Sequence, residues 1–281
     1  MSTAITLNQS DIPAEVSAKR PSQWRQKTGQ KLQQILWALV LPLLVLGLWQ
    51  ITSAHEWVSP QILPPPSLVW QTLTELWQSG DLTSNLQISV ERVAYGFGVG
   101  TVVGLLLGAL MGLSKTVEAY LFPTFKALSQ IPALGWIPLL IMVVGIGESM
   151  KILVIAKAAL VPVTVNTLQG IRNIPPQFAE VAKVYRFNTR QLLAKVVIPA
   201  ALPSLFTGIR YGLTHAWLAL VTVELLASSE GIGFLMVWGR QLFQLDLVLA
   251  TVVIIGAVGL LIDQSLQWLE THFLKWRRVA F

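Results

Sequence analysis

The sequence predicts an all-α, polytopic membrane protein with six transmembrane helices. Three observations carry that prediction. Of the 281 residues, 53% are hydrophobic and only 12% charged, too apolar a balance for a water-soluble domain of this size. The apolar residues fall into long runs separated by short polar segments, and fifteen of the 20 Lys and Arg residues fall on one side if those runs cross in alternation. Positive charge collects beside the hydrophobic runs and forms no single stripe, so the net charge of +6 describes membrane topology and no nucleic-acid partner.

The N-terminal segment, residues 1–34, is polar and carries Lys19, Arg20, Arg25, Lys27 and Lys31. With no apolar core of its own it reads as a cytoplasmic basic tail rather than a cleaved signal peptide. The remainder, 35–281, is the transmembrane domain, and its first span is Leu36 to Ile51. Residues 54–89 are amphipathic. Pro64, Pro65 and Pro66 make a rigid entry, Leu68, Val69, Leu73 and Leu76 recur at helical spacing, and Trp70 and Trp77 suit the headgroup level of an outer surface.

The second span, Ala94 to Leu113, places Gly96, Gly100, Gly104, Gly108 and Gly112 on one narrow face. Spacing of four without side chains marks a close helix–helix seam. A proline-broken region follows, with Pro123, Pro132 and Pro138, and the third span is placed at Ile137 to Ile146 with a few residues before it. The fourth runs from Ile152 to Thr167 with a kink expected at Pro162. The fifth is Leu205 to Leu226 and the sixth Leu247 to Trp268, ending in Lys275, Arg277 and Arg278. Both termini then lie on the basic, cytoplasmic side.

Ionisable residues inside spans are costly and face protein or water. Lys157 in the fourth span and Glu224 in the fifth share an expected depth near the outer surface, and a Lys157–Glu224 pair bordering an outer gate is one reading. The other is that Lys157 snorkels to the headgroups. Arg210 and Asp263 are close enough to the opposite surface to pair. Along the fifth span, Thr207, Tyr211, His215 and Thr222 fall near one face, either lining a solute path or bonding across a helix seam.

There are no cysteines, which excludes disulfides and thiolate chemistry. The three histidines, His55, His215 and His272, lie at different depths and form no metal or catalytic cluster, so no metal site is expected. An ion-coupled secondary transporter would need related halves and a buried acid pair at mid-membrane. Glu224 and Asp263 lie too near opposite surfaces for that, and no repeat is evident. No GxxxxGK[ST] loop occurs either, so nucleotide chemistry belongs to another polypeptide.

One polar stretch interrupts the second half of the chain, residues 172–203, containing PPQFAEVAKVYRFNTRQLLAKVVIPAALP. Pro175 and Pro176 suit a first helical turn, Phe178, Val181, Ala182 and Tyr185 recur at helical spacing, and Arg172, Lys183, Arg186, Arg190 and Lys195 give it the charge of a cytoplasmic loop. This resembles the cytoplasmic loop of binding-protein-dependent ABC importer permeases, whose pattern is Glu-Ala-Ala, three residues, Gly, nine residues, Ile-x-Leu-Pro. Glu180, Val181 and Ala182 take the first triplet, and Val196, Val197, Ile198 and Pro199 fall at the matching distance, while Arg186 stands where the family has its turn-making glycine. Val223 to Asp263, ILPPPSLVW, and Lys151 to Ile174 also resemble permeases for aliphatic sulfonates and taurine, a framework shared with nitrate and bicarbonate permeases.

The resemblance implies the type I ABC importer permease fold and a specific assembly. A permease homodimer would carry two cytoplasmic ABC ATPase subunits below it and a periplasmic or lipid-anchored substrate-binding protein above, in the lipid bilayer of a bacterial inner membrane. The coupling residues would be Phe178, Glu180, Val181, Ala182, Tyr185, Arg186, Phe187 and Pro199. The chain itself would bind no cofactor, with ATP and Mg held by the partner ATPase, and it would catalyse no covalent change. The solute expected is a small anion, aliphatic sulfonate or taurine first, with nitrate, nitrite or bicarbonate as the alternative.

Overall fold

The computed structural model describes residues 23–274. Lys19 and Arg20 of the basic tail, and Lys275, Arg277 and Arg278, lie outside the described residues. The described chain is helical and divides after Val58 into two compact units. The first holds one helix, α1 (Gln23–Ala54), whose apolar part is Leu39–Ala54.

The second unit begins with the proline entry. Pro65 caps α2 (Pro66–Ser79) in an extended conformation, and Gly80, at φ +84°, closes it with a left-handed turn. Val69 and Thr72 face inward while Trp70 and Trp77 stay exposed. Thr72 Oγ1 donates to Asp246 Oδ2 at 2.6 Å, tying α2 to the start of the last helix. The helix after Gly80, α3 (Asp81–Leu113), begins thirteen residues before the expected second span. Gly80 ends one helix and Asp81 favours the positive N-terminal end of the next, so the segment expected to be one amphipathic stretch is two helices meeting at a turn.

The glycines of α3 meet α6 (Glu148–Arg172). A Cβ at Gly96 would lie 2.6 Å from Ile155 Cγ2, one at Gly108 2.6 Å from Thr167 Cβ, and one at Gly100 would strike the carbonyl of Ala156. Gly104 and Gly112 meet Val163 and Ile171 in the same way. The backbones can approach this closely only without side chains. Because the partners advance in step, α3 and α6 are parallel, and the chain between them has to cross back.

That return is α4 (Lys115–Ser129), a 3-10 turn (Ala133–Trp136) and α5 (Ile137–Val144), bent by 92° at the break. This corrects the third span. Ile137 to Ile146 is not a crossing helix, since α5 has 8 residues and reaches only about 12 Å. Pro132, which lacks an N–H, enforces the break, and the crossing is shared between the two pieces. Pro162 lies inside α6, whose helical run continues through it.

After α6 come α7 (Pro176–Val184), α8 (Thr189–Leu192), a π-helical turn (Leu193–Val197) and α9 (Ile198–Ala227). The last three form one helical run, Thr189–Ala227, so the fifth span starts sixteen residues earlier than expected. Pro199 follows the π turn within this run and lacks the N–H that would continue its backbone ladder there. A short helix that the sequence did not suggest, α10 (Ile232–Gln241), precedes α11 (Leu245–Phe273). Among the described residues, four helical runs are long and apolar enough to cross a membrane, five if the bent pair is taken as one crossing, and α1 carries the remaining apolar segment. The core lies where α3, α6, α9 and α11 meet, around Ile155, Ala159, Trp217, Leu220 and Ile254.

Candidate functional site

Two ends of α6 carry the functional candidates. Its 25 residues separate them by about 37 Å. At the Arg172 end, Arg172 Nη1 meets Glu118 Oε1 at 2.8 Å and the chain turns into α7. Pro175 and Pro176 start α7 as their ring geometry predicts. Its end is a Schellman-type turn in which Phe187 N donates to Ala182 O at 2.9 Å and Arg186 N to Lys183 O at 3.0 Å. Arg186, in the place of the family glycine, adopts φ +51°. The tight turn therefore survives the substitution, at a cost of about 1–2 kcal/mol for a side chain in left-handed backbone.

The next helix starts with a capping box, Asn188 Oδ1 accepting from Gln191 N at 2.8 Å and Gln191 Oε1 from Asn188 N at 3.0 Å. On α7, ahead of these two turns, Ala182 is buried, whereas Phe178, Val181, Val184 and Tyr185 are exposed, Val184 by 80% and Tyr185 by 71%. Glu180 is exposed among them. Phe187 lies under Lys195 Nζ, 5.5 Å from the ring centre. A groove of 480 Å³ runs between α7 and α9, walled by Ile174, Phe178, Val196, Pro199 and Pro203. An apolar helix face is thus left uncovered in the single chain.

At the other end lies a buried ion network. Arg92, 3% exposed, gives Nη1 to Glu224 Oε1 at 2.8 Å and clasps Glu148 with two parallel bonds of 2.7 Å. Lys151 Nζ reaches Glu148 Oε1 at 2.8 Å and Ser228 Oγ at 3.1 Å. Ser89 Oγ donates to Glu224 and accepts from Ile232 N at 3.0 Å, while Gly233 N donates to Glu224 Oε2 at 2.9 Å. Arg92 Nη1 also reaches the carbonyl of Glu230 at 2.8 Å. Two cations and two carboxylates balance, and together they fasten the turn at Ser228–Gly233 onto α3. Gly231, at φ +107°, lies so close to the Glu224 carboxylate that any Cβ would collide with it.

This overturns the expected Lys157–Glu224 pair. Glu224 is saturated by Arg92, Ser89 and Gly233, and Lys157 Nζ instead donates to the carbonyl of Ile131. The depth estimate failed because α6 starts at Glu148, placing Lys157 further in, and because α3 starts early enough to bring Arg92 into reach. Arg92, Glu148, Lys151 and Ser89 were not singled out from the sequence. The available signal was helical phase, since Ser89 and Arg92 continue the glycine face of α3 backwards by steps of three and four.

Between the two ends, Arg210 and Asp263 do meet, Nε to Oδ1 at 2.8 Å and Nη2 to Oδ2 at 2.9 Å, with Glu270 Oε2 at 3.7 Å from Nη1. Thr207 and Thr222 donate to the carbonyls four residues back in their own helix. His215 Nδ1 lies 2.8 Å from Tyr211 O. A carbonyl only accepts, so Nδ1 carries the hydrogen and Nε2 remains for another partner. Tyr211 is exposed.

Residues 100–275 match the family of binding-protein-dependent transport system inner membrane components, and the chain belongs to that family. Among its relatives, a Bacillus subtilis permease named for aliphatic sulfonates transport, SsuC, is 42% identical over 90% of this chain and 92% of its own. The bicarbonate transport system permease protein CmpB of Synechococcus elongatus is 36% identical over 92% of this chain and 96% of its own. An inward-facing structure of the MetNI methionine ABC transporter has a chain with the same fold, with a TM-score of 0.52 and 19% identity, over 74% of this chain and 98% of that one. This protein is thus a transport permease of the ABC class, an inner membrane component rather than an enzyme.

Proposed function

We propose that this chain is the membrane-spanning subunit of an ATP-driven importer for a small anion, with aliphatic sulfonate or taurine as the preferred solute. Nitrate, nitrite or bicarbonate is the second reading, favoured by the similarity to CmpB. Two copies form the pathway, a pair of separate ATPase subunits holds ATP and Mg on the cytoplasmic side, and a substrate-binding protein delivers solute from outside. Both termini and the α7 loop face the cytoplasm.

The observation that carries the reading is α7. Phe178, Val181, Val184 and Tyr185 form an exposed apolar face whose position is fixed by the Arg186 turn and the Asn188 cap. Closure of the ATPase pair on ATP would push that face, and the helical run from Thr189 would carry the motion into the span. Since the chain has no cysteine, a single Val184→Cys gives a clean test. An impermeant thiol reagent should label it only from the cytoplasmic side, and the partner ATPase should protect it. Labelling from the outer side would overturn the topology.

A further inference from the structure

Lys157 lies nine residues into α6, about 14 Å along the axis from Glu148 and about 22 Å from Arg172. It is therefore well inside the span. Among the described residues it makes no ion pair, and its ammonium is given one acceptor, the Ile131 carbonyl at the break between α4 and the 3-10 turn. Arg92, Lys151, Glu224 and Arg210, the charged groups within the helix core, each have an opposite charge beside them. A lone ammonium inside a span is costly, so its charge wants an anion.

The break that exposes Ile131 also opens space on both sides of Lys157. On one side is a cavity of 450 Å³ lined by Ser129, Pro132, Asn166 and His215. His215 has Nε2 unused there, and Asn166 commits one N–H to Pro162 O at 2.8 Å. On the other side is a cavity of 350 Å³ walled by Leu107, Met111, Leu121 and Phe125. Trp136 also lines it, and the indole N–H of Trp136 is buried with no acceptor. Lys157, Ser129 and Val161 belong to both cavities.

We infer that these two neighbouring cavities are a solute site within the permease itself, for an organic oxyanion carrying a short hydrocarbon chain. The anionic head sits against the Lys157 ammonium, where an ionised donor outweighs a neutral one. The hydrocarbon occupies the Leu107–Phe125 cavity. A charged head and an apolar tail are matched by one cavity that offers Lys157, Asn166 and His215 and a second that is apolar throughout, and a bare inorganic anion would leave the second empty. The inference rests on the anion-import reading and adds where the anion is held.

The test uses the complete transporter in proteoliposomes, with butanesulfonate and methanesulfonate as probes. Lys157→Met should lower butanesulfonate uptake about tenfold or more, the scale of one charged hydrogen bond, and Lys157→Arg should restore most of it. Leu121→Trp, which fills the apolar cavity, should lower the butanesulfonate-to-methanesulfonate uptake ratio several-fold. Size-exclusion profiles verify assembly of each variant. Wild-type uptake by Lys157→Met would overturn the inference, and so would an unchanged ratio in Leu121→Trp. A wild-type complex that moves no anion at all would instead sink the import reading on which the site depends.

Discussion

The two ends of α6 are built on opposite plans. Around the half-exposed Glu148, the side chains of Arg92, Lys151 and Glu224 are buried, paired and bonded several times over, and they lock the Ser228–Gly233 turn to α3. Around Arg172 the apolar groups are exposed, and a non-glycine residue holds left-handed backbone. One end directs its interactions within the chain, whereas the other leaves an apolar surface uncovered. The difference teaches that stability and docking are drawn from separate parts of this fold, and it sets different expectations for mutation at each end.

The largest effect belongs to the ion network. Glu224→Ala leaves Arg92 buried with one acid fewer, and loss of one partner in such a site costs about 3–5 kcal/mol. Thermal unfolding in detergent should show a strongly lowered midpoint or no folded protein. Next comes the seam that joins the ends. Gly100→Val drives a side chain into the Ala156 carbonyl, and overpacking of this kind costs about 1–3 kcal/mol, read in the same assay.

At the other end the signs change. Arg186→Gly relieves the left-handed strain and should raise stability by about 1 kcal/mol or less, because glycine also frees the unfolded chain. The smallest stability change is expected of Tyr185→Ser, within about 0.5 kcal/mol as for other exposed positions, yet it should weaken recovery of the ATPase with the permease. Equal losses of stability at Glu224 and Tyr185 would erase the contrast between the ends.

Much of the architecture was legible because membrane crossing imposes a long apolar run, and the glycine period of four in α3 announced its partner before that partner was known. The third crossing was not legible. Pro132 divides it into pieces each too short to read as a span, and only the parallel pairing of α3 with α6 requires a return between them. The loop was readable from Pro175, Pro176 and Glu180, since these act through local backbone geometry. The ion network was not, because Arg92, Glu148 and Glu224 are brought together from three helices and nothing within any one of them names the others. Depth counted from expected span ends put Lys157 too near the surface, an error of one helix start.

The run from Thr189 to Ala227 has a mechanical consequence. Its 39 residues make a rod about 58 Å long, with its foot beside α7 and its head, through Glu224, bolted to Arg92. Such a rod cannot be compressed, so a shove at the foot is either delivered to the head or taken up in the π turn at Leu193–Val197, where the ladder of backbone bonds is already out of step. That turn is where a load on the run would first be absorbed.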